Sequence, residues 1–147
     1  MYRQGHQGPE LLLVHPGGPF WARKDLGAWS IPKGEYAGSE DPLAVAVREF
    51  EEETGLRPEG EFRPLGELTQ PGRKVVTAWA VEGDFDPRTL TSNTFELEWP
   101  PRSGRKATFP EVDRAEWFSP ALAREKILKG QGEFIARLLQ AIGVGTP

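Results

Sequence analysis

Residues 41 to 58 carry start and stop signals for one helix, and that helix constrains everything around it. Asp41 suits an N-cap. Pro42 suits the first helical position, where a missing N–H loses no partner. Gly55 fits the left-handed residue that follows many helices, and Pro58 blocks resumption. Between these signals the apolar period is that of a helix. Leu43, Ala46, Val47 and Phe50 share one face, predicted to pack on the core. Glu49, Glu52 and Glu53 relate as i, i+3 and i+4 and gather on a second face, where Arg48 can pair with Glu52.

Like charges so placed cost a helix only about 0.2–0.5 kcal/mol per pair, so a plain solvated acidic face would carry the same pattern. A cation among the carboxylates would remove that repulsion. Hard oxygen ligands suit Mg²⁺ or Mn²⁺, with Ca²⁺ also compatible.

The flanking residues extend the pattern. Gly34, Glu40, Arg48, Glu49, Phe50, Glu52, Glu53, Gly55 and Leu56 fill the nine specified positions of G-x5-E-x7-R-E-U-x-E-E-x-G-U, where U is bulky and apolar. A chance match at one start point is on the order of one in a billion from average residue usage. This stretch resembles the signature of the Nudix hydrolases, and covers 23 of the 147 residues. The remainder resembles the family more loosely.

Composition narrows the alternatives. A chain of 147 residues suits one domain, here taken as 1–147, with its own core. The net charge of −4 argues against stable binding to nucleic acid or to an anionic membrane. Without cysteine there are no disulfides or thiolate metal sites, which fits a cytoplasmic setting. No apolar run approaches the ~20 residues of a membrane span, and no signal-peptide pattern opens the chain.

Along the chain, Leu11 to Val14 form a short apolar run that reads as a buried strand. His15 to Pro19 is a loop, followed by Phe20, Trp21, Arg23, Lys24 and Trp29. Residues 62–69 and 74–81 read as two strands joined across Gln70-Pro71-Gly72-Arg73. Phe95 to Trp99 alternate as a short strand, Pro100 to Arg105 form a basic loop, and Arg114 to Phe118 make another strand. Ser119-Pro120 starts a helix. A last helix spans about 131–141, with Phe134, Ile135, Leu138, Leu139 and Ile142 on its apolar side. The order suggests a mixed sheet between helical layers. The family resemblance implies the same α/β/α sandwich. Only Met1-Tyr2-Arg3 precede the turn-like Gln4 to Pro9, so the first strand is expected to be short. Either the true start lies upstream, or the chain does without most of that strand. An exposed sheet edge would then want cover, for which a homodimer is one route.

The resemblance implies a hydrolase for the pyrophosphate bond of a nucleoside diphosphate linked to another group, with Mg²⁺ or Mn²⁺ as cofactor. Glu49 and Glu53 are the first candidates for metal ligands, Glu52 completes the set, and the Gly34 carbonyl matches a ligand in several members. Arg48 and Glu40 would orient the acids and hold the loop. Catalysis in the family often draws on one more carboxylate, as ligand or base. Glu111 is the candidate, with Glu96, Glu98 and Glu116 as rivals; Glu52 and Glu53 are also catalytic candidates. Lys33, in Trp-Ser-Ile-Pro-Lys-Gly, resembles the corresponding residue of dinucleoside-polyphosphate hydrolases and adds a cation for phosphate. Arg23 and Lys74 are weaker phosphate candidates, and Trp29, Trp21 and Phe20 offer a stacking surface for a base. His6 and His15 receive no catalytic role. The expected substrate is a small nucleotide, either a dinucleoside polyphosphate or a nucleoside triphosphate. Pro71, 15 positions beyond Leu56, resembles a marker of ADP-ribose pyrophosphatases, which keeps that activity as an alternative. A nucleotide-binding module without catalysis is the other alternative, although such modules often lose signature acids.

Overall fold

The structure is a computed structural model that describes residues 1–33 and 38–144. Seven strands and three helices follow one another as β1 (Tyr2–Gly5), β2 (Gly8–Pro16), α1 (Pro42–Thr54), β3 (Arg63–Thr69), β4 (Val75–Ala80), β5 (Thr94–Glu98), β6 (Lys106–Pro110), β7 (Val112–Phe118), α2 (Pro120–Lys126) and α3 (Glu133–Ala141). Short 3-10 turns lie at Pro87–Thr89 and Lys129–Gln131.

β2 organises the architecture. It pairs antiparallel with β1 on one edge and with β7 on the other, running from Leu11 opposite Phe118 to Pro16 opposite Val112. Successive side chains of a strand point to opposite faces. Leu11 and Leu13 therefore enter one core with Trp29, Phe118, Ile127, Ile135 and Leu139. Leu12 and Val14 enter another with Phe50, Phe85, Val112 and Ala115. Helices cover both faces, so the strand is apolar throughout rather than alternating. This is the α/β/α layering expected from the sequence. The hydrogen-bonded ladders are all antiparallel, β1-β2-β7, β3-β4 and β5-β6. Among the described residues the parallel component is confined to the bridges Tyr2–Glu82 and Trp29–Ile127. β1 is too short to extend it: four residues, closed by a two-residue turn between Gly5 and Gly8.

The helix signals work locally as read. The Asp41 carboxylate accepts from the Leu43 N–H, and Gly55 ends α1 at φ 88°. Its packing differs from expectation. Phe50 is buried, but Leu43, Ala46 and Val47 are only half-buried, while Val45 and Thr54 are buried. The first half of that face borders an apolar cavity of about 540 Å³ between α1 and β4 instead of a packed strand. β6 is a strand that the sequence did not announce. α3 docks on β3 through Arg137, whose Nη1 donates to the Leu65 and Glu67 carbonyls across the bulge at Gly66. Among the described residues no helix is long and apolar enough to cross a membrane.

Candidate active site

α1 presents Glu49, Glu52 and Glu53 along one flank. The helix C-terminus ties the backbone of a distant acid to α1. The last carbonyls of any helix lack intrahelical donors. Here Asn93 N–H donates to the Glu52 carbonyl at 2.8 Å, and Thr91 N–H donates to that of Thr54 at 3.0 Å. The Asn93 carbonyl in turn accepts from Glu111 N–H at 2.8 Å, and the Glu111 carbonyl accepts from Gly17 N–H at 2.9 Å. A chain of backbone hydrogen bonds thus links α1, residues 91–93, Glu111 and the loop after β2. Glu111 enters the field of both Glu49 and Glu53. Its rivals are exposed strand residues: Glu96 and Glu98 on β5, Glu116 on β7.

The electrostatics record this crowding. Burial is the main cause lifting the Glu53 carboxyl from 4.5 to about 8. A hydrogen bond from Lys33 N–H, 2.8 Å from Glu53 Oε2, and the Lys33 charge work in the opposite direction, while Glu49 and Glu111 add to the rise. Glu49 is also pushed up, first by burial and then by the negative charge of Glu52, with Arg48 opposing and Glu111 adding. Arg48 fans across the acids, Nη1 at 3.3 Å from Glu40, Nη2 at 3.9 Å from Glu49 and Nε at 4.0 Å from Glu52. The Glu40 contact is within hydrogen-bonding distance, and the other two are longer ion pairs. Among the described residues no three acidic or histidine side chains converge as a ready-made ion site. The donor chemistry nevertheless fits a hard divalent cation. The acids are hard oxygens, burial and then neighbouring carboxylates raise both Glu49 and Glu53, and a cation would favour their charged forms.

The other predicted residues divide. Lys33 is exposed beside Glu53, and Lys33 and Lys74 both line the α1–β4 cavity. Gly34 lies outside the described residues. Arg23 sits exposed in the loop after β2. Trp29 as a substrate-binding residue is corrected: it is 1% exposed, its Nε1 donates to Asp25, and its ring packs edge-on against Phe118 and His15. An indole so enclosed presents no face to a ligand. Trp21 is half-buried beneath the Lys24 ammonium, whereas Phe20 is 59% exposed.

Sequence reasoning passed over two supports. Gln131 is fully buried, and its Oε1 accepts from Ile31 N–H at 3.1 Å while Nε2 donates to Ser30 Oγ at 3.0 Å. It braces the segment whose next residues are Pro32 and Lys33. His15, also fully buried, bridges Asp113 and the Lys24 carbonyl, both at 2.7 Å, and ties the loop after β2 to β7. Neither partnership has a spacing that sequence could reveal.

Against known proteins, the chain matches the NUDIX domain model over residues 1–138. It is 31% identical over 97 residues to a CMP-5'-(N-acetyl-N-hydroxy-3-aminopropyl)phosphonate hydrolase of Streptomyces rubellomurinus, covering 57% of this chain and 47% of that protein. It is 40% identical over 50 residues to an RNA pyrophosphohydrolase of Xylella fastidiosa, covering 33% and 26%. The chain thus spans about half or less of these curated relatives. Among solved structures it resembles a C. elegans Ap4A hydrolase binary complex at TM-score 0.64 and 17% identity, covering 97% of this chain and 93% of that one. It also resembles the NUDIX domain of Shewanella oneidensis NrtR complexed with ADP ribose, at TM-score 0.64 and 15% identity, covering 96% and 82%. A MutT protein from Methanosarcina mazei Go1 follows at TM-score 0.57 and 19% identity, covering 96% and 90%. At those identities the likeness is one of fold. The unbroken signature, the layered fold and the match over nearly the whole chain place this protein in the Nudix hydrolase family.

Proposed function

We propose that the chain is a Mg²⁺- or Mn²⁺-dependent pyrophosphohydrolase acting on a nucleoside polyphosphate, either a dinucleoside polyphosphate or a nucleoside triphosphate. The clustering of Glu49, Glu52 and Glu53 on one flank of α1, within the unbroken signature, is the observation that carries this reading. When bound, the divalent ion neutralises phosphate oxygens and acidifies water. Glu49 and Glu53 would hold it, with Glu52 beside them. The chain's own groups do the rest. Lys33 N–H holds the Glu53 carboxylate at a set angle, while the Lys33 side chain supplies a cation to phosphate. Arg48 restrains Glu49 and Glu52. Glu111, whose backbone N–H donates to the Asn93 carbonyl, would take the proton of an attacking water.

Turnover of a nucleotide panel with and without Mg²⁺ tests the proposal, with Glu53→Gln as control. Metal-dependent release of phosphate products, lost in the variant, is the expected result. A wild type with no metal-dependent turnover on dinucleoside polyphosphates, triphosphates or ADP-ribose refutes it. Reaction in labelled water identifies the phosphorus attacked.

A further inference from the structure

We propose that the cavity between α1 and β4 holds an aliphatic chain of the substrate, so that the site also hydrolyses a nucleoside diphosphate esterified to an aliphatic alcohol. The inference rests on the hydrolase reading above and extends its substrate class.

The cavity has the size and the lining for such a ligand. Its volume of about 540 Å³ falls within the ~300–1,000 Å³ of small-molecule sites. Protein interiors leave few voids larger than a water molecule, so a space this large exceeds ordinary packing slack. Ala46 and Val47 of α1, Val76 and Ala78 of β4, and Phe134 and Leu138 of α3 line it. An aliphatic chain gains by leaving water for such walls and carries no polar edge that needs a partner there.

The charges fix which end of the ligand goes where. The charged side chains around the cavity are Lys33 and Lys74, and no carboxylate lines it among the described residues. In a chain with 22 acidic residues that bias is local. It suits a molecule with an anionic head and an apolar tail. Lys33 also ties the cavity to the acidic flank of α1, because its N–H donates to Glu53 Oε2 at 2.8 Å. A diphosphate beside Glu53 can therefore send its second substituent past Lys33 into the cavity. Gln70 lines the same space, and its buried Nε2 has no hydrogen-bond partner among the described residues. An oxygen of the bound molecule would give that donor a partner.

In the reaction, water adds to one phosphorus and the bridging P–O bond breaks. The products are a nucleoside monophosphate and an alkyl monophosphate, and the protons of the water pass to products and solvent.

The test is a homologous series with Mg²⁺ present: ADP esterified at its β-phosphate with butyl, hexyl, octyl and decyl chains, beside ATP, which has no chain. Wild type, Ala46→Phe and Val76→Phe are assayed on each. In the wild type kcat/KM should rise about fourfold per added methylene, through KM, until the cavity is filled. The added rings take up that room, so the rise should stop at a shorter chain in both variants. The wild-type series decides by itself should a variant not fold. Separately, octyl phosphate in EDTA should change the emission of Trp79, which lines the cavity, and Trp79→Phe should lose that change. A wild type that turns over ATP but not the esters, or handles every chain length equally, overturns the chain site and leaves the hydrolase reading intact. Folded phenylalanine variants with an unaltered rise also overturn it. No turnover on any substrate, with Trp79-dependent binding of octyl phosphate retained, refutes the hydrolase reading and keeps the chain site. Loss of both signals in the wild type overturns both.

Discussion

Glu53→Gln should make the metal-free protein more stable at alkaline pH while removing its activity. In the folded chain the Glu53 carboxyl titrates at about 8 against 4.5 for the free group. Fully expressed, that difference is worth about 5 kcal/mol against the folded state above pH 8. Glu53 is half-buried, so solvent screening reduces the expected effect to about 1–3 kcal/mol. The sign follows from linkage. Below pH 4.5 both states hold the proton and Glu53 contributes no difference. Between 4.5 and about 8 the unfolded chain ionises first, so wild-type stability falls as pH rises. Glutamine does not titrate and can still accept the Lys33 N–H. Chemical denaturation in EDTA should show the variant ahead at pH 9 and level at pH 4, with Tm higher by roughly 2–4 °C per kcal/mol at the alkaline end. Added Mg²⁺ should then stabilise the wild type more than the variant. A variant no more stable than wild type at pH 9, or equally advantaged at pH 4, would refute the assignment of a buried, crowded carboxyl.

Two further substitutions probe the supports of the site. Gly17→Ala should cost stability and lower kcat more than it raises KM, because a Cβ 2.0 Å from the Pro110 carbonyl forces apart the strand end bearing Glu111; denaturation and steady-state kinetics check it, and a variant of wild-type stability and kcat counts against that close packing. Gln131→Leu leaves Ile31 N–H and Ser30 Oγ without their buried partner, for a loss of about 1–3 kcal/mol. Its kcat should fall as the Lys33 segment loosens, whereas Gln131→Glu, which keeps the acceptor for Ile31, should recover part of it.

Much of α1 was legible in the sequence because its determinants are local. Asp41, Pro42 and Gly55 act on backbone groups within one turn of themselves, and the spacing of Glu49, Glu52 and Glu53 fixes their common flank through helical geometry. The apolar run of β2 likewise announced a strand buried on both faces. Burial of particular aromatics was not legible. Phe20 and Trp29 are similar in composition and context, yet one is exposed and the other sealed by Phe118, His15 and Asp25. Glu111, although marked by its distance from Trp117, could not be told from Glu96, Glu98 and Glu116 until Asn93 joined it to the end of α1. The same holds for Gln131 under Ile31, a contact between residues 100 apart in sequence. The sequence by itself determined helix α1, its acidic flank and the family to which they point, since each depends on neighbours within a few residues. Only the tertiary structure decided which backbone groups meet the end of α1, which aromatics are sealed and what braces Ile31, two residues before Lys33. Those outcomes depend on backbone groups from separate strands and loops satisfying one another's hydrogen bonds, which no local spacing encodes.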